Sequence, residues 1–327
     1  MATRDWFEKL VGFSESDGYD AVQRRLTVEG EELVSTVNGK RYGIGELTLP
    51  TLADLRARVN PDRGQRSSSR TVVADVGPLH SKPEFDGALF QVASQFNLLE
   101  MVSQHRTPED GVTGYVGDPT QGPACAMAAA AGTIYRNYFV PVGDRIGQTR
   151  THQLDALAGV GAALSDLTGL PVSTLWNMQN GYALCTAEGL SAISRLLATM
   201  PENDRDALRA RLAIGLHRNV EVTDGSGRRV SQAYCSALPV GYSTLPRNDW
   251  EPFARLVLEA SYEALMLAAV EQASAGGSTI VLLTHIGGGV FNNGRDWIDS
   301  AIERAMDIVA DAGLEIVFVA RDPVRPR

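Results

Sequence analysis

Three consecutive glycines, Gly287, Gly288 and Gly289, follow the apolar run Ile280-Val281-Leu282-Leu283-Thr284-His285-Ile286. They lead through Val290-Phe291 into an amphipathic stretch from Trp297 and a second apolar run over residues 316–320. The pattern passes from the continuous apolar run of a buried strand to helical periodicity and back, which predicts strand, glycine turn, helix, strand. Glycines at the carboxyl end of a strand remove the side chains that keep a ligand away and leave backbone N–H groups facing it near a helix N-terminus. An anionic, phosphate-containing ligand is expected there. The same turn also serves plain packing, and it matches neither common phosphate fingerprint: no Gly-Lys-Ser/Thr follows it, and its spacing is not that of a dinucleotide fold.

Other segments therefore have to decide. The 327 residues, 44% hydrophobic and 21% charged, are enough for one large domain or two smaller ones. A net charge of -9 lacks the footprint of a protein that binds bulk nucleic acid. The charged start and the shortness of the apolar runs around residues 124–134 and 264–270 predict a soluble, cytoplasmic chain without a membrane span. Cys125, Cys185 and Cys235 are odd in number and widely spaced, so neither a disulfide framework nor a zinc site is expected, and no cofactor is called for.

Residues 1–70 read as a small hairpin-containing extension closed by the polar linker 60–70. A regular domain over 71–327 follows. Thr71-Val72-Val73-Ala74-Asp75-Val76 reads as a strand ending in an acid, and residues 88–97 as a buried strand ending in Gln95-Phe96-Asn97. Gln121-Gly122-Pro123-Ala124-Cys125-Ala126 opens an alanine-rich helix. Residues of about 136–228 read as a helical insertion whose use, as cover, pocket extension or dimer contact, pattern alone leaves open. A strand near 230–239, a long helix from about Trp250 and the glycine loop complete the chain. Alternating elements predict a three-layer α/β/α fold around a mixed sheet.

Taken in order, the segments Ala74-Asp75-Val76, Ala93-Ser94-Gln95-Phe96-Asn97, Gln121-Gly122-Pro123 and Gly287-Gly288-Gly289-Val290-Phe291 resemble those of the macrodomain family, the ADP-ribose-binding fold. The likeness spans roughly 71–135 and 229–322, and leaves the extension and the insertion unexplained. It implies a pocket for ADP-ribose or an NAD-derived ADP-ribosyl nucleotide. Asp75 and the Val76 N–H would meet adenine, and Asn97 the distal ribose. The backbone of Gly122 and of Gly287, Gly288, Gly289 and Val290 would surround the diphosphate, and Phe291 would pack on a ribose.

Departures from the family pattern bear on turnover. The aspartate after the glycine loop of hydrolytic macrodomains is replaced by Ala124 or Cys125, and the paired glutamates of poly-ADP-ribose glycohydrolases are absent after Gly289. Glu100, on the side of Asn97 if a helix starts there, and Asp118, before the Gly122 loop, are the carboxylates that can substitute. Whether the chain binds only or also hydrolyses an ADP-ribosyl bond stays open at this level. A third reading makes Cys125, in a first helical turn, the nucleophile of a hydrolase; against it, cysteine among alanines is commonly a small buried hydrophobe. His285, before the glycines, reads as a phosphate donor or a core histidine.

Overall fold

The computed structural model describes residues 6–321. The start of the charged lead-in, 1–5, and the end of the expected domain, 322–327, lie outside the described residues. A seven-stranded mixed sheet forms the centre. Its strands in chain order are β1 (Glu46–Thr48), β2 (Ser68–Val73), β3 (Leu89–Ala93), β4 (Gly215–Glu221), β5 (Arg229–Cys235), β6 (Ile280–Leu283) and β7 (Glu315–Ala320). The spatial order is β1-β4-β5-β3-β6-β7-β2. From β5 to β2 every pairing is parallel, and β4 runs antiparallel to both its neighbours.

β5 shows how two helical layers cover the sheet. Its residues are buried almost throughout, as expected of a strand covered on both faces. Side-chain period 2 sends Gln232 toward the Cys125 carbonyl, at 3.0 Å, and Tyr234 under Arg136. Cys235 faces the other way, with its thiol 3.9 Å from the Ser261 carbonyl. The first layer is α1 (Gln121–Ala128) and α2 (Ala130–Tyr138); the second is led by α3 (Arg247–Ser274), 28 residues long and buried on nearly every side. A helix apolar all round belongs in the middle of a large core. The α/β three-layer class expected from the sequence is the fold observed.

Three boundaries differ from expectation. The extension supplies β1 to the main sheet, pairing Leu47 with His217, and β2 starts at Ser68, inside the expected linker. The extension also shares a second core, in which Phe7, Val11, Val22, Leu26 and Leu33 pack with Leu99, Met101, Ile134 and Tyr138. The insertion is not purely helical. It carries the hairpin Trp176–Gln179 with Tyr182–Cys185, and its last segment is β4, where residues alternate with a partly polar face that helical counting hides. Finally, the strand expected over 88–97 stops at Ala93. Leu98 then takes φ 62°, a left-handed conformation that blocks any helix from starting at Asn97.

Candidate functional site

A cavity of about 490 Å³ opens at the carboxyl ends of β2, β3, β6 and β7. That is the usual ligand position in sheets of this kind, and the volume suits a small molecule. The walls are built from the segments that follow those strands: Val76, residues 93–95, residues 284–287 and Arg321. A more open depression of about 850 Å³ lies at the opposite strand ends, beside Arg58, Arg218 and Glu271.

The glycine loop forms one wall. Gly287 has φ 76°, and a Cβ there would lie 2.6 Å from the Ala237 Cβ and 2.8 Å from the Asn293 amide nitrogen. That amide is buried and donates to the Leu238 carbonyl at 2.8 Å and the Gly287 carbonyl at 3.3 Å, which fixes the loop's shape. Among the described residues the N–H groups of Gly289 and Val290 meet no acceptor, so they can serve a ligand anion. Gly288 instead gives its N–H to the His285 carbonyl at 3.2 Å and does not line the cavity.

His285 and Arg295 stand beside this wall, and both reach Asp299, at 3.2 Å and 2.8 Å. Burial, then the Arg295 charge, lowers the imidazole below its ordinary range. At neutral pH His285 is an uncharged hydrogen-bonding group on the cavity, outside the core.

Gly122 forms the facing wall. A Cβ on it would be 2.0 Å from the Ala93 carbonyl oxygen and 3.1 Å from the Glu100 Cγ, so only glycine lets α1 approach the end of β3. The neighbouring Gln121 locks the approach: its amide accepts from the Ala93 N–H and donates to the Gln91 carbonyl, each at 2.6 Å. Asp118 lines the same wall and accepts the Thr120 N–H at 2.8 Å.

Glu100 lies on the cavity and is 1% exposed. It gets there from the loop 94–104 instead of from a helix shared with Asn97. Leu99 and Met101 on either side are anchored in the second core, leaving Glu100 to face the other way. Its carboxyl receives Nη2 of the buried Arg136 at 3.2 Å, and its N–H donates to the Tyr115 hydroxyl at 3.2 Å. Arg136 is shared with the Leu98 carbonyl and the Thr133 hydroxyl, and stacks 3.9 Å above the Tyr234 ring. Burial outweighs that one cation and raises the Glu100 carboxyl to about 7. Near neutrality it is therefore present both with and without its proton, the condition for acid and base work by one group.

The remaining expected residues fall around this centre. Val76 and Phe291 line the cavity. Asp75 is at its edge, with the carboxylate 70% exposed and 3.5 Å from Arg321. It sits at the N-cap position of the short helix Val76–Leu79 without making the capping bond, so helix capping does not account for it. Asn97 is fully buried behind the wall: its amide donates to Gln153 at 3.0 Å and accepts the Leu99 N–H at 3.1 Å. Cys125 is buried off the cavity, and burial, then the Glu100 charge, pushes its thiol well above the ordinary value. The thiolate that a nucleophile needs is thus disfavoured, and the Cys125 hydrolase reading loses its physical basis.

Sequence reasoning missed Tyr182, Tyr242, Arg295 and Arg321. Tyr182, Tyr242 and Phe291 make an aromatic triangle on the cavity, with ring centroids 5.2, 5.4 and 5.6 Å apart. Tyr182 was legible. Asn180-Gly181 between two short runs is a strong hairpin signal, and both residues have positive φ, 48° and 78°. Arg321 donates to the Pro119 carbonyl and faces Asp75, a long-range meeting with no local pattern.

No family model and no curated protein matches the chain. Among solved structures it is similar to poly(ADP-ribose) glycohydrolase from Deinococcus radiodurans in complex with ADP-ribose, with a TM-score of 0.47 and 12% identity over 86% of this chain and 89% of that one. It is also similar to poly(ADP-ribose) glycohydrolase from Thermomonospora curvata bound to the inhibitor ADP-HPD, with a TM-score of 0.39 and 12% identity over 94% and 91%. Likenesses of this size carry no argument about ligand or reaction.

Proposed function

We propose that the cavity binds ADP-ribose, or an ADP-ribosyl group carried on a larger molecule, and hydrolyses the bond that holds it, with Glu100 as the acid. One observation carries the reading: a buried carboxyl raised to about 7 lies on a cavity whose other wall offers free backbone N–H groups. A group that can hold or release its proton at neutral pH beside an anion-binding loop suits cleavage of a glycosidic bond next to a diphosphate.

In this reading the N–H groups of Gly289 and Val290, assisted by Arg295, hold the diphosphate, and Gly122 lets it approach α1. Phe291 packs on a ribose, and Asp75 with the Val76 N–H takes the adenine edge once Arg321 swings aside. Asn97 shapes the loop behind the wall. Protonated Glu100 gives its proton to the leaving oxygen as the anomeric C–O bond breaks. A water held by Asp118 adds to the anomeric carbon, and its surplus proton returns to the Glu100 carboxylate, so the enzyme ends as it began.

Calorimetric titration with ADP-ribose, AMP and NAD tests the pocket, and release of ADP-ribose from ADP-ribosylated protein tests the reaction. Saturable binding of ADP-ribose well above that of AMP is expected, together with release by the wild type. Absence of binding at millimolar ADP-ribose overturns the pocket. Binding without release keeps the pocket and removes the reaction.

A further inference from the structure

The loop that carries Glu100 has almost no regular structure of its own, yet most of the polar groups between Ser94 and Met101 have a partner. Many of those partners come from the insertion whose use the sequence left open. The Phe96 N–H donates to the Gly181 carbonyl at 3.0 Å, and the Phe96 carbonyl accepts the Ala156 N–H at 2.9 Å. Gln148 donates to the Asn97 carbonyl and Gln153 accepts from the Asn97 amide, each at 3.0 Å. Asn180 donates to the Gln104 carbonyl at 2.7 Å.

Tyr182 reaches Met101, the residue next to the acid. Its hydroxyl donates to the Met101 carbonyl at 3.0 Å and accepts from the Gln95 amide at 3.3 Å. The same amide group of Gln95 accepts the Met101 N–H at 2.9 Å and donates to the Met101 carbonyl at 3.3 Å, so the Tyr182 hydroxyl braces a pair that Gln95 already joins. Residues 95 and 101 are thereby clamped together at the ends of the segment that contains the left-handed Leu98 and Glu100. A non-glycine residue held at positive φ is strained and persists only where surrounding contacts over-determine it. The hairpin turn comes equally close: a Cβ on Gly181 would lie 2.6 Å from the Asn97 side-chain oxygen.

We propose that Tyr182 is a positioning residue of the reaction: through Met101 and Gln95 its hydroxyl fixes the Glu100 carboxyl at the cavity, so the inserted hairpin and the acid work as one unit. The proposal rests on Glu100 being the acid. It makes the insertion part of the active site's frame, in place of a cover, a pocket extension or a dimer contact. Its mechanism is exclusion of water. The clamp keeps Glu100 in the dry setting that sustains its neutral form, and a loosened loop admits water and stabilises the carboxylate.

The test is Tyr182→Phe, which keeps the ring in its triangle with Tyr242 and Phe291 and deletes only the hydroxyl. Carbon-13 NMR of protein labelled at the glutamate side-chain carboxyls reads the Glu100 titration directly, with its signal assigned by disappearance in Glu100→Gln. The wild-type midpoint is expected at about 7. In Tyr182→Phe it is expected to fall by about one pH unit or more, toward the roughly 4.3 of an exposed glutamate. Release of ADP-ribose from ADP-ribosylated protein should drop about tenfold, a typical price for a misplaced acid, while ADP-ribose affinity stays within about twofold. An unchanged midpoint overturns the proposal, and so does a loss of melting temperature or affinity without a change of midpoint. A wild type that releases no ADP-ribose removes the proposed reaction, and the NMR comparison still decides whether Tyr182 sets the state of Glu100.

Discussion

Two buried carboxylates on opposite sides of the molecule show how the number of cationic partners separates a proton carrier from a fastener. Glu263, on α3, has its side chain 3% exposed and is gripped by Arg56 through Nε at 2.5 Å and Nη2 at 2.9 Å, with Arg304 as a third contact. Asp206 adds a second carboxylate to the same arginines, at 2.7 Å from Arg56 and 3.4 Å from Arg304. This cluster ties the extension helix Leu52–Arg58, the insertion helix Glu202–Arg209, α3 and the helix Arg295–Ile308 together. Glu100 has one arginine, divided among several acceptors, and burial wins. A carboxylate gripped by two arginines fastens helices together; one with a single, divided arginine is governed by its burial.

Removing the carboxyl at each place sharpens the contrast most. Glu100→Gln should lower ADP-ribose release about a thousandfold, roughly 4 kcal/mol of barrier, while retaining ADP-ribose binding. A fully active variant breaks the contrast at its functional end. Glu263→Ala leaves Arg56 and Arg304 with Asp206 as their shared carboxylate in a partly buried site and should cost ~3 kcal/mol of stability, read from denaturant midpoints, with release per folded molecule close to wild type.

The exposed carboxylate extends the comparison. Asp75→Ala should remove the adenine-dependent part of binding, about a tenfold to hundredfold loss of ADP-ribose affinity, with little effect on stability. Unchanged affinity would sink the adenine assignment.

Acid titration gives the smallest signal. The Glu100 carboxyl is raised to about 7 in the folded chain against roughly 4.3 when unfolded. Between those values the folded state holds a proton that the unfolded state has lost, so its contribution is present below the lower value and fades as pH climbs to the upper one. Melting temperatures compared at pH 5 and pH 8 should therefore shift in favour of Glu100→Gln at the higher pH. A gap independent of pH would mean that the carboxyl titrates normally.

Much of the frame was legible because it is local. The run 280–286, the glycines after it and the periodicity from Trp297 onward gave the strand, turn and helix that wall the cavity. Asp75, Val76, Gly122 and Phe291 were marked by the family resemblance and Glu100 by its place after Asn97, and Val76, Gly122, Glu100 and Phe291 do meet on one cavity. What sequence withheld is what long-range packing decides. The state of Glu100 depends on its burial and on Arg136, its backbone is held by Tyr115, and Asn97 was drawn behind the wall by Gln148 and Gln153 of the insertion. The extension's β1 is three residues long, too short for a period to declare itself. The hairpin of Tyr182 is a different kind of miss, since Asn180-Gly181 announced it and helical counting across the insertion hid it.

The second core also dictates an order of events as the chain is made. Phe7, Val11, Val22, Leu26 and Leu33 leave the ribosome well before Leu99, Met101, Ile134 and Tyr138, the groups that bury them. During synthesis those early apolar side chains have no finished interior to enter, and a chain halted near residue 90 would display them to chaperones or to other nascent chains. Completion of α2 ends that exposure and anchors Leu99 and Met101, the two neighbours of Glu100, in the same step.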